Sequence, residues 1–83
     1  MESSSRLAVV AIIIEEIDAY EQVNGVLHDM RDFVVGRMGI PYKHRNLSVI
    51  SLVLDAPNDM INSLTGKLGM IKGISAKALY SNK

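Results

Sequence analysis

The sequence contains no cysteine and no tryptophan, only two prolines, and no net charge. Without cysteine, the chain can form neither disulfide bonds nor thiolate metal sites. His28 and His44 are the only histidines, so we expect no metal site within one chain and no cofactor; a metal shared across a subunit interface stays open. Nine basic residues balance nine acidic ones, whereas duplex-binding domains usually carry a basic excess. We therefore expect no direct binding of nucleic acid.

A long hydrophobic run is also missing. The longest such run, residues 7–14, is far shorter than the ~20 residues that a membrane span requires. It ends at Glu15 and Glu16 with no small-residue cleavage site after it, which is unlike a secretion signal. The sequence therefore predicts a cytoplasmic protein without a membrane partner.

The length of 83 residues is enough for one domain. We place it at residues 6–83, after a polar, serine-rich tail at residues 1–5 that we expect to be disordered. A domain of this size buries only about 60% of the surface that its unfolded chain exposes, and small domains compensate with disulfides, metals or oligomerisation. Because the composition provides neither disulfides nor a metal site, oligomerisation is the remaining way to stabilise this domain.

Hydrophobic spacing predicts four strands and two helices in the order βαββαβ. The predicted strands, from short or alternating apolar runs, are residues 7–14, 33–40, 47–54 and 74–80. Apolar residues recur every three or four positions over 20–30 and 60–71, which predicts two amphipathic helices. We expect Asp18 to cap the first helix, with Glu21 completing a capping box, and Pro41 to end the second strand.

This order predicts an α+β, ferredoxin-like sandwich, with a four-stranded antiparallel sheet in the order 4-1-3-2 and both helices on one face. The first strand is nevertheless apolar on both of its sides. Its alternating residues are Leu7, Val9, Ala11 and Ile13 on one side, and Ala8, Val10, Ile12 and Ile14 on the other. Because two helices cover only one face, we expect a homodimer or homotetramer joined through the open sheet face or the sheet edges.

No residue pattern points to catalysis. The Gly66-Lys67 pair occurs in phosphate-binding loops, but Ile61 and Leu68 stand where such a loop needs a glycine and a serine or threonine. We interpret Gly66 and the nearby Gly69 as positions that permit close approach of backbone at an interface or a ligand pocket.

One basic cluster, formed by Lys43, His44 and Arg45 with Arg37 nearby in the sequence, falls around the predicted hairpin. Such a cluster is typical of a solvated hairpin tip. At a subunit boundary it would instead contact an anion or a carboxylate. The sequence leaves both interpretations open.

Four strings carry a family resemblance: VGRMGIPY at residues 35–42, ISL at 50–52, LTGKLG at 64–69 and ALYS at 78–81. Through them the chain, from Arg6 onward, resembles the small bacterial regulators of the iron-only hydrogenase system. The resemblance implies a ferredoxin-like, ACT-like fold, akin also to the ligand-binding domain of the nickel-responsive repressor. It implies a regulatory role around hydrogenase expression or maturation.

The resemblance also implies a surface for a ligand or partner on the matching strings. Its expected residues are Arg37, Met38, Gly39, Tyr42, Thr65, Gly66 and Lys67. ACT domains commonly bind amino acids near the first strand-to-helix loop, where this chain has Glu15 and Glu16 in place of a glycine-bearing turn. We expect an oligomeric regulatory or ligand-sensing module that binds itself and a small molecule or a regulatory protein. The alternatives are a ligand-free scaffold and, third, a small enzyme with His28 or His44 as acid or base.

Overall fold

The computed structural model describes residues 5–83, which form one antiparallel sheet with two helices packed on it. The strands are β1 (Ser5–Ile14), β2 (Val34–Tyr42), β3 (Leu47–Pro57) and β4 (Ile74–Tyr80), and the helices are α1 (Tyr20–His28) and α2 (Asn58–Gly69). The strand order β2-β3-β1-β4 confirms the predicted ferredoxin-like α+β fold. Of the predicted tail, residues 1–4 lie outside the described residues, and Ser5 is the first residue of β1.

The core lies between one face of the sheet and the two helices. From Leu7 to Ile14 of β1, the even-numbered residues are buried and the odd-numbered ones are exposed, because successive side chains of a strand point to opposite faces. The strands contribute Val10, Ile12, Ile50, Leu52 and Leu54 to this core, and the helices contribute Val23, Leu27, Ile61, Leu64 and Leu68. Both helical stripes predicted from the sequence therefore face the same side of the sheet.

Three strands are longer than predicted, and the first of them, β1, begins at Ser5 and not at residue 7. β2 continues through Pro41 to Tyr42, because β2 is an edge strand, where a residue without an N–H group is tolerated. β3 continues past residue 54, its predicted end, to Pro57, which pairs with Ser5 of β1. Pairing with β1 therefore keeps residues 55–57 in β3, although their local sequence is typical of a turn.

The capping of the first helix also differs from the prediction. Asp18 lies in a short 3-10 turn over Ile17–Ala19, and the residue at the N-cap of α1 is Ala19, with no side-chain capping bond. The predicted capping box between Asp18 and Glu21 is therefore wrong. The 3-10 turn leads directly into α1, so the chain enters the helix without a capping side chain.

At one end of the sheet, Gly73 links the loop between β1 and α1 to the turn that precedes β4. Gly73 has a φ of 82°, and its carbonyl oxygen accepts a hydrogen bond of 2.7 Å from the N–H of Glu15. A Cβ atom at this position would collide with the side chain of Glu16. This contact holds the loop between β1 and α1 against the turn that precedes β4.

Candidate ligand groove and open sheet face

A cleft of about 400 Å³ lies beside the first turn of α1, over the neighbouring part of β2 and β3. Ile17, Tyr20 and Glu21 form the wall on the α1 side. The strand side of the cleft is lined by Gly39, Ile40, Pro41, Ser48, Val49 and Ile50. We call this cleft, with its extension described below, the α1 groove.

Gly39 opens the strand side of the α1 groove. In the register of β2 and β3 it is opposite Ile50, a core residue, so position 39 belongs to the face on which the helices pack. A Cβ atom there would meet no atom of the described chain within 4 Å. A larger side chain at position 39 would therefore occupy the groove.

A smaller cavity of about 110 Å³ shares Ile17, Tyr20, Pro41 and Ser48 with this cleft and extends it toward the β2–β3 hairpin. Its further lining residues are Ile14, Tyr42, Lys43, Asn46 and Leu47. The combined lining is mainly apolar, with a few polar groups and one charged side chain in each part. Such a surface suits a small amphipathic molecule.

The structure distributes the seven predicted site residues over four places. Gly39 and Tyr42 line the α1 groove. Arg37 lies on the helix-facing side of β2, where its Nη2 donates a hydrogen bond of 2.6 Å to Oδ1 of Asn24 in α1. Met38, the next residue, is 59% exposed on the opposite face. The string at 35–42 thus contributes to both faces of the sheet.

The other three residues lie on α2. Lys67 lines a separate groove of about 230 Å³ between the two helices, together with Asp29 and Asp59. The hydroxyl group of Thr65 donates a hydrogen bond of 3.1 Å to the carbonyl oxygen of Asn62. Gly66 has no atom of the described chain within 4 Å of a Cβ position. The two family strings therefore do not converge on one cavity.

Sequence reasoning missed Ile17, Tyr20, Glu21 and Ser48 as groove residues. Their positions in the sequence suggest only a helix start and a strand start. They meet because the end of β1 and the β2–β3 hairpin lie at the same end of the sheet, where Ile14 pairs with Ser48. From the sequence, their proximity could have been inferred from the predicted topology alone.

The basic residues Lys43, His44 and Arg45 form an exposed 3-10 turn between β2 and β3. The rings of Tyr42 and His44 lie 5.6 Å apart at an angle of 55°. Asn46 closes the turn in the left-handed conformation, with a φ of 60°. The hairpin thereby presents a basic tip beside the smaller part of the α1 groove.

The second feature is the face of the sheet away from the helices, which we call the open face. Across it, cross-strand neighbours form apolar rows such as Ile40, Val49 and Ile13. The exposed large apolar residues on this face include Leu7, Val9, Ile13, Met38, Ile40, Tyr42 and Leu79. Lys77 and Ser51 interrupt it near the centre. The open face is therefore a broad apolar surface.

Within residues 5–83 there is no group of three or more histidine, aspartate and glutamate side chains placed to hold a metal ion. The same residues include no helix long and apolar enough to cross a membrane.

Solved structures similar to this chain share its fold. The uncharacterized protein TM1266 from Thermotoga maritima superposes with a TM-score of 0.88 at 36% identity, covering 92% of this chain and 96% of that chain. The ACT domain from GTP pyrophosphokinase of Chlorobium tepidum gives a TM-score of 0.77 at 19% identity, covering 90% and 99%. CPII from Thiomonas intermedia K12, a nitrogen regulatory PII-like protein bound to ADP, AMP and bicarbonate, gives 0.50 at 16%, covering 94% of each chain. No curated protein matches the chain.

These likenesses place the chain in the class of ferredoxin-like α+β domains that have ACT domains as structural neighbours. The model of the TM1266-like family, described as an iron-only hydrogenase system regulator, matches residues 6–78. The chain belongs to this family, which confirms the resemblance found in its sequence.

Proposed function

We propose that this protein is a cytoplasmic, non-catalytic regulatory module of the iron-only hydrogenase system, which assembles from identical copies and senses a small molecule. The family description supports the regulatory role. ACT and PII-like domains among its structural neighbours are consistent with ligand sensing. The α1 groove is the observation that carries the sensing part of the proposal.

The α1 groove has the properties of a small-molecule site. Its main part of about 400 Å³ falls within the range of roughly 300–1,000 Å³ that is usual for such sites. One side of the groove is the segment that follows β1, which the hydrogen bond between Glu15 and Gly73 anchors. Occupation of the groove would therefore press on a loop that is tied to both β1 and β4.

The charged side chains of the groove indicate the chemistry of its ligand. Glu21 lines the larger part and would pair with an amine group of the ligand. Lys43 lines the smaller part and would pair with a carboxylate or phosphate. The apolar walls would take an aliphatic or aromatic group between them. The expected ligand is amphipathic and of about amino-acid or nucleotide-base size.

The open face supports the proposed assembly. Contiguous apolar patches larger than a few hundred Å² are rare on monomers and usually mark an interface. Sheets that pack face to face interdigitate side chains such as Val9, Ile13 and Met38 at a spacing of ~10 Å. A second copy of this chain, which carries the same face, is the partner that we propose for it.

The ligand-binding part is tested by titrating the protein separately with amino acids, AMP and ADP while recording its amide NMR spectrum and its melting temperature. We expect one of these compounds to raise the melting temperature and to shift the resonances of Ile17, Tyr20 and Gly39. Gly39→Leu fills the groove and should abolish the response.

Gly25→Leu is the control, because Gly25 lies in α1 outside the lining of the groove and a Cβ atom there also meets open space. This variant should respond like the original protein. If none of the compounds acts, and native mass spectrometry of the purified protein shows no bound molecule, the ligand-free scaffold becomes the better interpretation.

A further inference from the structure

Among residues 5–83, the outer side of β4 presents a row of backbone groups that have no partner. The N–H of Ser81 donates to the carbonyl oxygen of Leu7 at 2.8 Å, next to the pair of Ala8 and Tyr80. In an antiparallel pair, hydrogen-bonded positions alternate with positions whose N–H and C=O groups point the other way. The even-numbered residues of β4 therefore point these groups away from β1. They are Ile74, Ala76, Ala78 and Tyr80. The N–H of Ile74 already donates to the carbonyl oxygen of Ile71 at 3.2 Å, so the complete free pairs of groups are those of Ala76, Ala78 and Tyr80.

The opposite edge of the sheet is much less suited to pairing. β2 has a register shift between Val34 and Gly36, and Pro41 lacks an N–H group. Bulges and prolines are the usual devices by which proteins block edge strands. β4 keeps an unbroken register with β1 from Ile74 to Tyr80 and includes neither glycine nor proline. Of the two edges, β4 is the one prepared to accept another strand.

The side of α2 above β4 is also free of charge. Lys67 faces the groove that α2 shares with α1. Asn62 lies on the other side, where its Oδ1 accepts a hydrogen bond of 2.7 Å from the hydroxyl group of Tyr80. Residues three and seven positions further along a helix share this side, which places Thr65 and Gly69 beside Asn62. We call these three residues the α2 flank.

The α2 flank leaves room for another helix. A Cβ atom at Gly69 would meet no atom of the described chain within 4 Å, and the same holds for Gly66 at the outer border of the flank. No other segment of the described chain therefore packs closely against the backbone at these glycines. A partner is what would give the small residues of this string a packing role.

We propose that a second copy of this chain pairs antiparallel with β4 along this edge, with the α2 flanks of the two copies side by side. A two-fold axis lets each copy satisfy the free N–H and C=O groups of the other. A lone peptide strand would fill the edge but would leave the α2 flank uncovered, which favours a second copy as the occupant. This inference rests on the proposed assembly and assigns it a contact separate from the open face.

Lys77 restricts the register of this pairing. An axis through Lys77 would place two like charges directly opposite each other, which is destabilising. An axis through Ala76 or Ala78 avoids that contact and sets a hydrogen-bonded pair at the centre. Both alanines are half-buried and small enough for the strands to meet.

Single cysteines test the pairing directly, because the chain has no cysteine of its own. In a hydrogen-bonded pair the two Cα atoms lie ~5.5 Å apart, within the range that a disulfide spans. Under mild oxidation, we expect Ala76→Cys or Ala78→Cys to give a covalent dimer as its main product. Gln22→Cys, at an exposed position of α1 outside both proposed contacts, reports collisional oxidation and should give at least ~10-fold less. A yield no greater than this control for both alanine positions overturns the proposal.

Leucine at a helical glycine provides the second test. Gly69→Leu should weaken association at least ~100-fold in sedimentation equilibrium, since it fills the α2 flank. Gly25→Leu is the matched control: Gly25 is a helical glycine of α1 that also faces open space, and it should change association less than ~3-fold. Circular dichroism verifies that both variants fold. Unchanged association of Gly69→Leu overturns the proposal.

These outcomes separate this inference from the proposed function. The α1 groove lies on the β2 side of the sheet and the proposed contact on the β4 side. If Gly69→Leu associates normally while the groove still responds to a ligand, only the edge contact is refuted. If the crosslinks form but no ligand acts on the groove, the sensing function is refuted and the edge contact stands.

Discussion

The two faces of the sheet have similar apolar residues and different surroundings. In β1, Ile12 is fully buried, whereas the next residue, Ile13, is 40% exposed. The side chains are the same, so the difference comes from the topology, because both helical connections pass over one face. A strand that is apolar on both sides therefore indicates that both faces of the sheet pack against something. The helical connections determine which face is buried within the chain itself.

The comparison is tested most strongly by shortening these two neighbours. Ile12→Ala leaves a cavity in the core, and we expect it to lower the free energy of unfolding by about 2–5 kcal/mol. Ile13→Ala removes a side chain that is already partly hydrated, and we expect a loss below about 1.5 kcal/mol at low protein concentration. Urea denaturation followed by circular dichroism measures both values.

The same pair of variants also reports on the assembly when the experiment is repeated over a range of protein concentrations. If a second copy covers the open face, the loss from Ile13→Ala should grow with concentration, because burial in the assembly then adds to stability. Equal losses for both variants at low concentration would contradict the assignment of the two faces.

A smaller effect is expected at Gly73, which links the β1–α1 loop to the turn before β4. Gly73→Ala introduces a side chain at positive φ and against Glu16, and we expect it to cost about 1–3 kcal/mol. Gly25→Ala, in the exposed interior of α1, should instead stabilise the protein by about 0.5–1 kcal/mol. Thermal unfolding of the two variants should therefore shift in opposite directions.

The weakest effect is expected in β2, where Arg37 and Met38 repeat the comparison of the two faces at an edge. Arg37→Ala removes the exposed hydrogen bond to Asn24, and we expect it to cost at most about 1 kcal/mol. Met38→Ala should leave the stability of the single chain almost unchanged, since its side chain contributes to the open face. A larger loss for Met38 than for Arg37 at low concentration would show that the open face is covered within one chain.

The fold was predictable from the sequence wherever local pattern and tertiary structure agree. β4 has the predicted bounds, because its alternation is regular and Gly73 precedes it. The end of β2 was wrong, because the effect of Pro41 depends on whether the strand is at an edge. The capping of α1 was wrong, although the helix begins at Tyr20 as predicted, because a 3-10 turn takes the place of a capping side chain.

The groove was less predictable than the fold. Gly39 and Tyr42 belong to strings that resemble the family, and both line the groove. Tyr20 and Ser48 are far apart in the sequence and meet only through the packing of α1 against the β2–β3 hairpin. Residues of this kind need the three-dimensional arrangement, because no spacing in the sequence brings them together.

The irregular course of β2 has a consequence for how large an assembly can become. A sheet with two open edges can add copies at both ends and grow into a fibril. In this protein the register shift after Val34 and the proline at position 41 interrupt one edge. Growth along the sheet would therefore stop once two copies are joined, so that even concentrated solutions should contain no fibrils that lengthen along the sheet.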